Sequence, residues 1–172
     1  MKKVILTIIL TLVFLVIVFA AYIYSGAYDV SQTTPHKSIT QWIINKTTHH
    51  SILKRMKGII VPDLEDTEMI ADGFIHYNEM CLICHGAPGI DPSVMTKGLY
   101  PGPPRILKPE DVVSPDMAFW IIKNGIKMTS MPAFAPTHSD EDIWEMTAFM
   151  INKMVKMTPE EYQQMMQPPA VH

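Results

Sequence analysis

The sequence predicts an all-α protein, with an N-terminal transmembrane helix followed by a small helical domain built around one covalently bound cofactor. Three observations carry that expectation. Residues Val4 to Tyr24 form an apolar run of bilayer length, interrupted only by Thr7 and Thr11. Positions 81 to 85 read Cys-Leu-Ile-Cys-His. The segments on either side place apolar residues at steps of three and four, bounded by helix caps, with no βαβ pattern. The C-x-x-C-H run is the attachment signature of a c-type haem, in which Cys81 and Cys84 form thioethers and His85 is the proximal iron ligand. A zinc half-site would need two further ligands in a chain with only two cysteines, and a redox dithiol or a structural disulfide leaves His85 without a task.

The apolar run of 21 residues exceeds the usual signal-peptide core and reads as a retained anchor over 1–24. A cleaved signal peptide is the alternative, since Val18-Phe19-Ala20 and Ser25-Gly26-Ala27 offer small residues for cleavage. Lys2 and Lys3 then stay inside and the remainder is exported. Without those two lysines, 12 basic residues face 17 acidic ones, a formal charge of −5. This balance disfavours nucleic-acid binding and is compatible with a partner bearing a positive docking surface.

Residues 25–65 read as a partly helical connecting segment. Ser38 to Lys46 places Trp42 among Ile39, Ile43 and Ile44, and Thr48 to Lys57 ends at Gly58 as a C′ residue. His49, His50, Lys54, Arg55 and Lys57 make it locally basic, fit either for anionic lipid headgroups or for a helix packed on the haem domain. The haem domain is placed at 66–155. Asp66 or Thr67 caps a helix whose inner face is Ile70, Gly73, Phe74, Tyr77 and Cys81, with His76 and Glu79 expected in solvent. Gly73 is costly there unless another helix approaches closely.

Six prolines and four glycines between Gly86 and Pro109 predict an ordered loop without regular structure. A backbone carbonyl within Pro101 to Pro104, with Pro103 at its centre, is the expected acceptor for the second ring nitrogen of His85. Leu99, Tyr100, Ile106 and Leu107 are candidate walls, and Arg105 is a candidate partner for a haem propionate. Ser114-Pro115 starts the next helix and Gly125 ends it, with Met117, Trp120, Ile121 and Ile122 inward. In the loop Lys127 to Phe134, Met131 stands before Pro132 and 46 residues past His85, well placed for the opposite face of the haem. Met131 is the expected distal ligand, Met128 the alternative, and His36, His49, His50, His138 or His172 the minor case. Ser139 to Asp142 opens the last domain helix, with Ile143, Trp144, Thr147, Ala148 and Ile151 inward and Phe149 at its flank. Residues 156–172 hold a short helix from Thr158, stopped by Pro168-Pro169, and a tail.

Taken together, residues 66–155 resemble the class I cytochrome c family. The likeness rests on Gly73 and Tyr77 ahead of Cys81-Leu-Ile-Cys-His85, the proline-rich loop, Met131-Pro-Ala-Phe134, and a closing helix with Trp144 and Phe149. The strings Gly98-Leu-Tyr-Pro-Gly-Pro-Pro104 and Asn124 to Phe134, followed by Pro136 to Asp142, look like bacterial membrane-anchored monohaem cytochromes c. The resemblance implies crossed first and last helices, one haem c with His/Met iron, and one-electron transfer between respiratory partners at the periplasmic face of the inner membrane. Its implied donors are a quinol-oxidising complex or equivalent, and its implied acceptors a terminal oxidase or reductase. Gly102 among the prolines and Arg105, where an acidic residue is commoner, depart from the family pattern. An iron with histidine and thioether ligands has no open position for substrate, so an electron carrier is expected rather than an enzyme. The alternatives are a haem subunit of a larger respiratory complex and a five-coordinate haem enzyme or gas sensor.

Overall fold

The computed structural model describes residues 1–167. It is all-α: among the described residues the only β pairing is an isolated bridge between Ala87 and Ile90. Two compact units divide at residues 35 and 36. The first contains α1, Lys2–Tyr24, a 23-residue helix long and apolar enough to cross a membrane, a property that a signal sequence shares. Its two threonines answer to their own backbone, Thr7 Oγ1 donating to Lys3 O at 3.0 Å and Thr11 Oγ1 to Thr7 O at 2.9 Å. The hydroxyls therefore demand no water along the run.

The second unit begins at His36 and so takes in most of the segment expected to be a connector. In place of two helical pieces there is one helix, α2, Ser38–Arg55, because no Gly or Pro interrupts the sequence between its ends. Gly58 follows in the left-handed region at φ +86°. Helix α2 rests on a later helix through its buried Ile52, and Tyr100 Oη donates to Gln41 Oε1 at 3.0 Å.

Asp66 caps α3, Thr67–His76, by accepting from the Glu68 and Met69 amides. The helix widens into a π turn over Tyr77–Cys81 and recovers as α4, Leu82–His85. Beyond the loop lie α5, Pro115–Asn124, α6, Asp140–Ala148, a second π turn, Phe149–Lys153, and α7, Pro159–Met166. Capping boxes start α6 at Ser139/Asp142 and α7 at Thr158/Glu161. The Pro168-Pro169 stop and His172 lie outside the described residues.

Helices α3 and α6 form the principal pair, and Gly73 is the reason they can. A Cβ at Gly73 would collide with the Glu145 carbonyl and lie 2.9 Å from Phe149 Cβ. The bare backbone lets Phe149 fill the crossing, so Phe149 is wholly buried and not at the flank as expected. Phe74, Tyr77 and Tyr162 surround it with ring centroids 5.4 to 6.3 Å away or from one another. The inner face of α5 also differs from the expectation: Ala118, Phe119 and Ile122 are buried, while Met117 and Trp120 are half-buried. Phe119 stacks on Trp144 at 4.1 Å, and that stack sets the rotation of α5. His76 is not in solvent either. The approach of α6 brings its Nε2 to 3.4 Å from Glu145 Oε2 and 3.9 Å from Asp142 Oδ1.

Candidate haem-binding site

A cavity of about 580 Å³, within the size range of cofactor pockets, opens between α3–α4, the proline-rich loop, α5 and α6. Cys81, Cys84, His85 and Met131 all line it, and its remaining walls are almost entirely apolar. Pro101, Pro103, Pro104 and Ile106 close one side, Ile121 and Ile122 another, and Met146 and Met150 the floor.

The proximal side is local in sequence. Cys81 closes the π turn, Cys84 and His85 follow in α4, and the helix ends at Gly86, in the left-handed region at φ +69°. A Cβ at Gly86 would lie 2.7 Å from Ile90 O, so glycine is needed for the chain to double back there. Tyr77, buried, donates to the Gly86 carbonyl at 2.8 Å and ties this turn to α3. Burial raises the Tyr77 pKa well above the ordinary phenol value, which keeps the hydroxyl a donor. Returning from the loop, the Pro104 carbonyl lies 2.8 Å from His85 Nδ1. A carbonyl can only accept, so the contact places a proton on Nδ1 and leaves Nε2 as the ring nitrogen that could serve a metal. The acceptor is thus Pro104, within the expected stretch, while Pro103 contributes to the cavity wall.

Cys81 is partly exposed to the cavity it lines, yet burial, and then the neighbouring Cys84, push its thiol up to about 12. A thiol held neutral among apolar groups makes a poor redox nucleophile or zinc ligand. A thioether carries no charge to desolvate, and it fits this position.

The distal side is assembled at long range. Helix α5 ends with carbonyls that no residue of its own can satisfy. Phe134 N donates to Ile122 O at 3.1 Å and Ala135 N to Lys123 O at 3.0 Å, folding the Met131 loop back over the helix end. Ile126 N donates to Met131 O at 3.2 Å, and Met131 N to Thr129 Oγ1 at 3.1 Å. Gly125, at φ +64°, permits the close pass, since a Cβ there would lie 2.7 Å from Met131 O. Met128 instead stands 75% exposed, at φ +61°, outside the cavity lining. Among the described histidines, only His85 lines the cavity. Arg105 is turned onto Asp91, Nη1 to Oδ1 at 2.7 Å, and does not line the cavity.

Sequence reasoning passed over Thr129 and the role of Gly125 at this loop, although Gly125 and the Thr129 hydroxyl flanking Met131 were visible as a left-handed-turn residue and a local acceptor. It also passed over Met146 and Met150, whose burial depends on the partner of α6.

An apolar cavity in an all-α unit that gathers a C-x-x-C-H histidine with an oriented ring, both cysteines and a methionine has the donor set of a c-type haem site. The comparison with known families agrees. Residues 68–150 match the family model described as cytochrome C oxidase, cbb3-type, subunit III, which supports a c-type cytochrome domain over that stretch. No curated protein and no solved structure gives a significant match. The matched stretch runs from the first turn of α3 to Met150 and contains every cavity-lining residue named above, while α2 lies outside it.

Proposed function

We propose that this chain is a membrane-anchored monohaem cytochrome c that passes single electrons between respiratory partners on the periplasmic side. A cytochrome c domain supports haem-based electron transfer through covalently bound haem c. The finer reading rests on the pairing of His85 and Met131 across one apolar cavity beside Cys81 and Cys84. In this reading Cys81 and Cys84 hold the haem through thioethers, His85 Nε2 and Met131 Sδ hold the iron, and Arg105 reaches a propionate only by leaving Asp91. The bound haem supplies a one-electron change of iron oxidation state. The chain's own residues do the rest. The Pro104 carbonyl fixes the His85 ring, Met131 fills the position that a small ligand would otherwise take, and the apolar walls exclude water and favour the less charged, reduced form. The run from Lys2 to Tyr24 serves as anchor, with domains at 1–24, 25–65, 66–155 and 156–172.

The deciding experiment compares oxidised and reduced spectra of the holoprotein with those of Met131→Ala, with and without carbon monoxide. The carrier reading expects a weak red charge-transfer band in oxidised wild type, absent from the variant, and no carbon monoxide shift in reduced wild type. A high-spin or carbon-monoxide-reactive wild type would overturn it in favour of an enzyme or gas sensor. The name of the matched family supports a second reading, in which the chain is the haem subunit of an oxidase complex. Stable co-purification with integral membrane subunits separates that reading from a freely diffusing carrier.

A further inference from the structure

Helix α2 has two faces that differ in kind. Toward α5 it turns Ile52, buried, with Ile44 and Thr48 half-buried. On the opposite side Ile39, Trp42 and Ile43 fall at steps of three and four and are 62%, 58% and 50% exposed. Lys46, His50 and Lys54 continue the same outward stripe, all exposed. An exposed indole flanked by two exposed isoleucines on a packed helix is an unpartnered apolar face, and its continuation by basic residues gives that face a sign.

Charge is segregated around it. Residues 30–62 contain Lys37, Lys46, Lys54, Arg55 and Lys57 and no carboxylate, a formal +5. Residues 63–172 contain 16 acidic and seven basic side chains, a formal −9. A uniformly solvated surface has no need of such a division. An anionic surface facing α2 and repelled by the rest of the unit accounts for it. Trp at the water–hydrocarbon boundary with Lys among the headgroups is how an amphipathic helix lies on a bilayer. The tether points to the same occupant, because the 13 residues between Tyr24 and Ser38 reach at most about 45 Å when fully extended. A bilayer holding α1 is therefore always within reach at high effective concentration.

We propose that the outward face of α2 is a docking surface for anionic lipid, inserting Ile39, Trp42 and Ile43 at the headgroup level with Lys46 and Lys54 on the phosphates. The proximity argument rests on α1 being a membrane helix; the face itself does not. Docked in this way, the haem unit holds a fixed attitude to the bilayer.

The test uses the full-length holoprotein in bilayer nanodiscs. Because Cys81 and Cys84 are consumed by the haem, Ile43→Cys provides one free thiol for a nitroxide label, and Glu160→Cys on α7 provides a solvent reference; both are read in the diamagnetic ferrous state. In equal phosphatidylglycerol and phosphatidylcholine the label at 43 is expected to gain oxygen accessibility and lose water-soluble nickel-chelate accessibility relative to 160. In phosphatidylcholine alone, or at high salt, the difference should shrink. Lys46→Gln and Lys54→Gln should each lower the docked-to-free ratio about fivefold. A label at 43 as accessible to the nickel chelate as that at 160 in both lipids overturns the proposal. So does protection that follows protein concentration and ignores lipid charge, which would identify a second copy as the occupant. Flotation separates this inference from the anchor. Protein that floats with phosphatidylglycerol vesicles only supports docking without an anchor, and protein that floats with neither composition overturns docking.

Discussion

The two walls of the haem cavity are built by opposite strategies. The proximal wall takes its three reactive side chains from one helical turn, Cys81 to His85, and needs only the Pro104 carbonyl from elsewhere. The distal wall takes one side chain, Met131, from a loop whose position depends on hydrogen bonds to the end of α5 and on a glycine with no room for a Cβ. Chemistry that forms covalent bonds is local in the sequence. The position proposed for the sixth ligand is distributed over tertiary structure, and the two should fail differently.

The sharpest way to break this contrast is to remove each proposed ligand in turn. His85→Ala should abolish the six-coordinate spectrum and strongly reduce covalently haem-loaded protein, whereas Met131→Ala should keep the thioether-linked haem and lose only the low-spin spectrum. Haem staining on denaturing gels beside absorption spectra reads both, and a distal variant lacking covalent haem would refute the division. Next in size, Gly125→Ala puts a Cβ against Met131 O in the left-handed region, costing about 1–2 kcal/mol. The denaturation midpoint should fall and the charge-transfer band should weaken while haem staining holds; an unchanged band would show that the loop is pinned elsewhere.

Smaller effects belong to charged groups outside the cavity lining. The Ser139 amide, donating to Asp142 Oδ2 at 2.8 Å, holds the Asp142 carboxyl below its ordinary 3.8. A lowered pKa means that its contribution is complete above about pH 4 and is lost as pH falls through the folded-state value. Glu145, one turn on, pulls the other way, its pKa raised by burial and then by Asp72. Asp142→Asn should therefore lower stability near neutrality and flatten the acid limb of a stability–pH curve; a parallel curve would refute the assignment. Smallest of all is Arg105→Gln. Its pair with Asp91 is exposed, so the stability change should stay within about 0.5 kcal/mol. A large fall in reduction potential with unchanged stability would instead reveal an Arg105–propionate contact.

The same contrast explains what was legible in the sequence. The C-x-x-C-H run, the Asp66, Ser139 and Thr158 caps, and the approach at Gly73 are readable because each depends on residues a few positions apart or on one costly glycine. The acceptor for His85 could be placed only within Pro101 to Pro104, since several prolines there offer similarly rigid carbonyls. Helix rotation was harder. The α5 face and the depth of Phe149 are fixed by the Phe119–Trp144 stack and by the α3–α6 crossing, which local periodicity does not encode. His76 followed the same rule, drawn out of solvent by carboxylates 66 and 69 positions away.

The oriented His85 ring also says something about the order in which the chain is finished. Closing a loop costs entropy that rises with the logarithm of its length, and Pro104 lies 19 residues from His85 while Met131 lies 46 away. That difference amounts to about 0.8 kcal/mol against the distal contact. The cysteines and histidine, by contrast, require no loop at all. Haem attachment can thus precede folding, the Pro104 clasp comes next, and Met131 arrives last. On the way back out Met131 should also leave first, so the bond proposed for it would report whether a mature chain is fully folded.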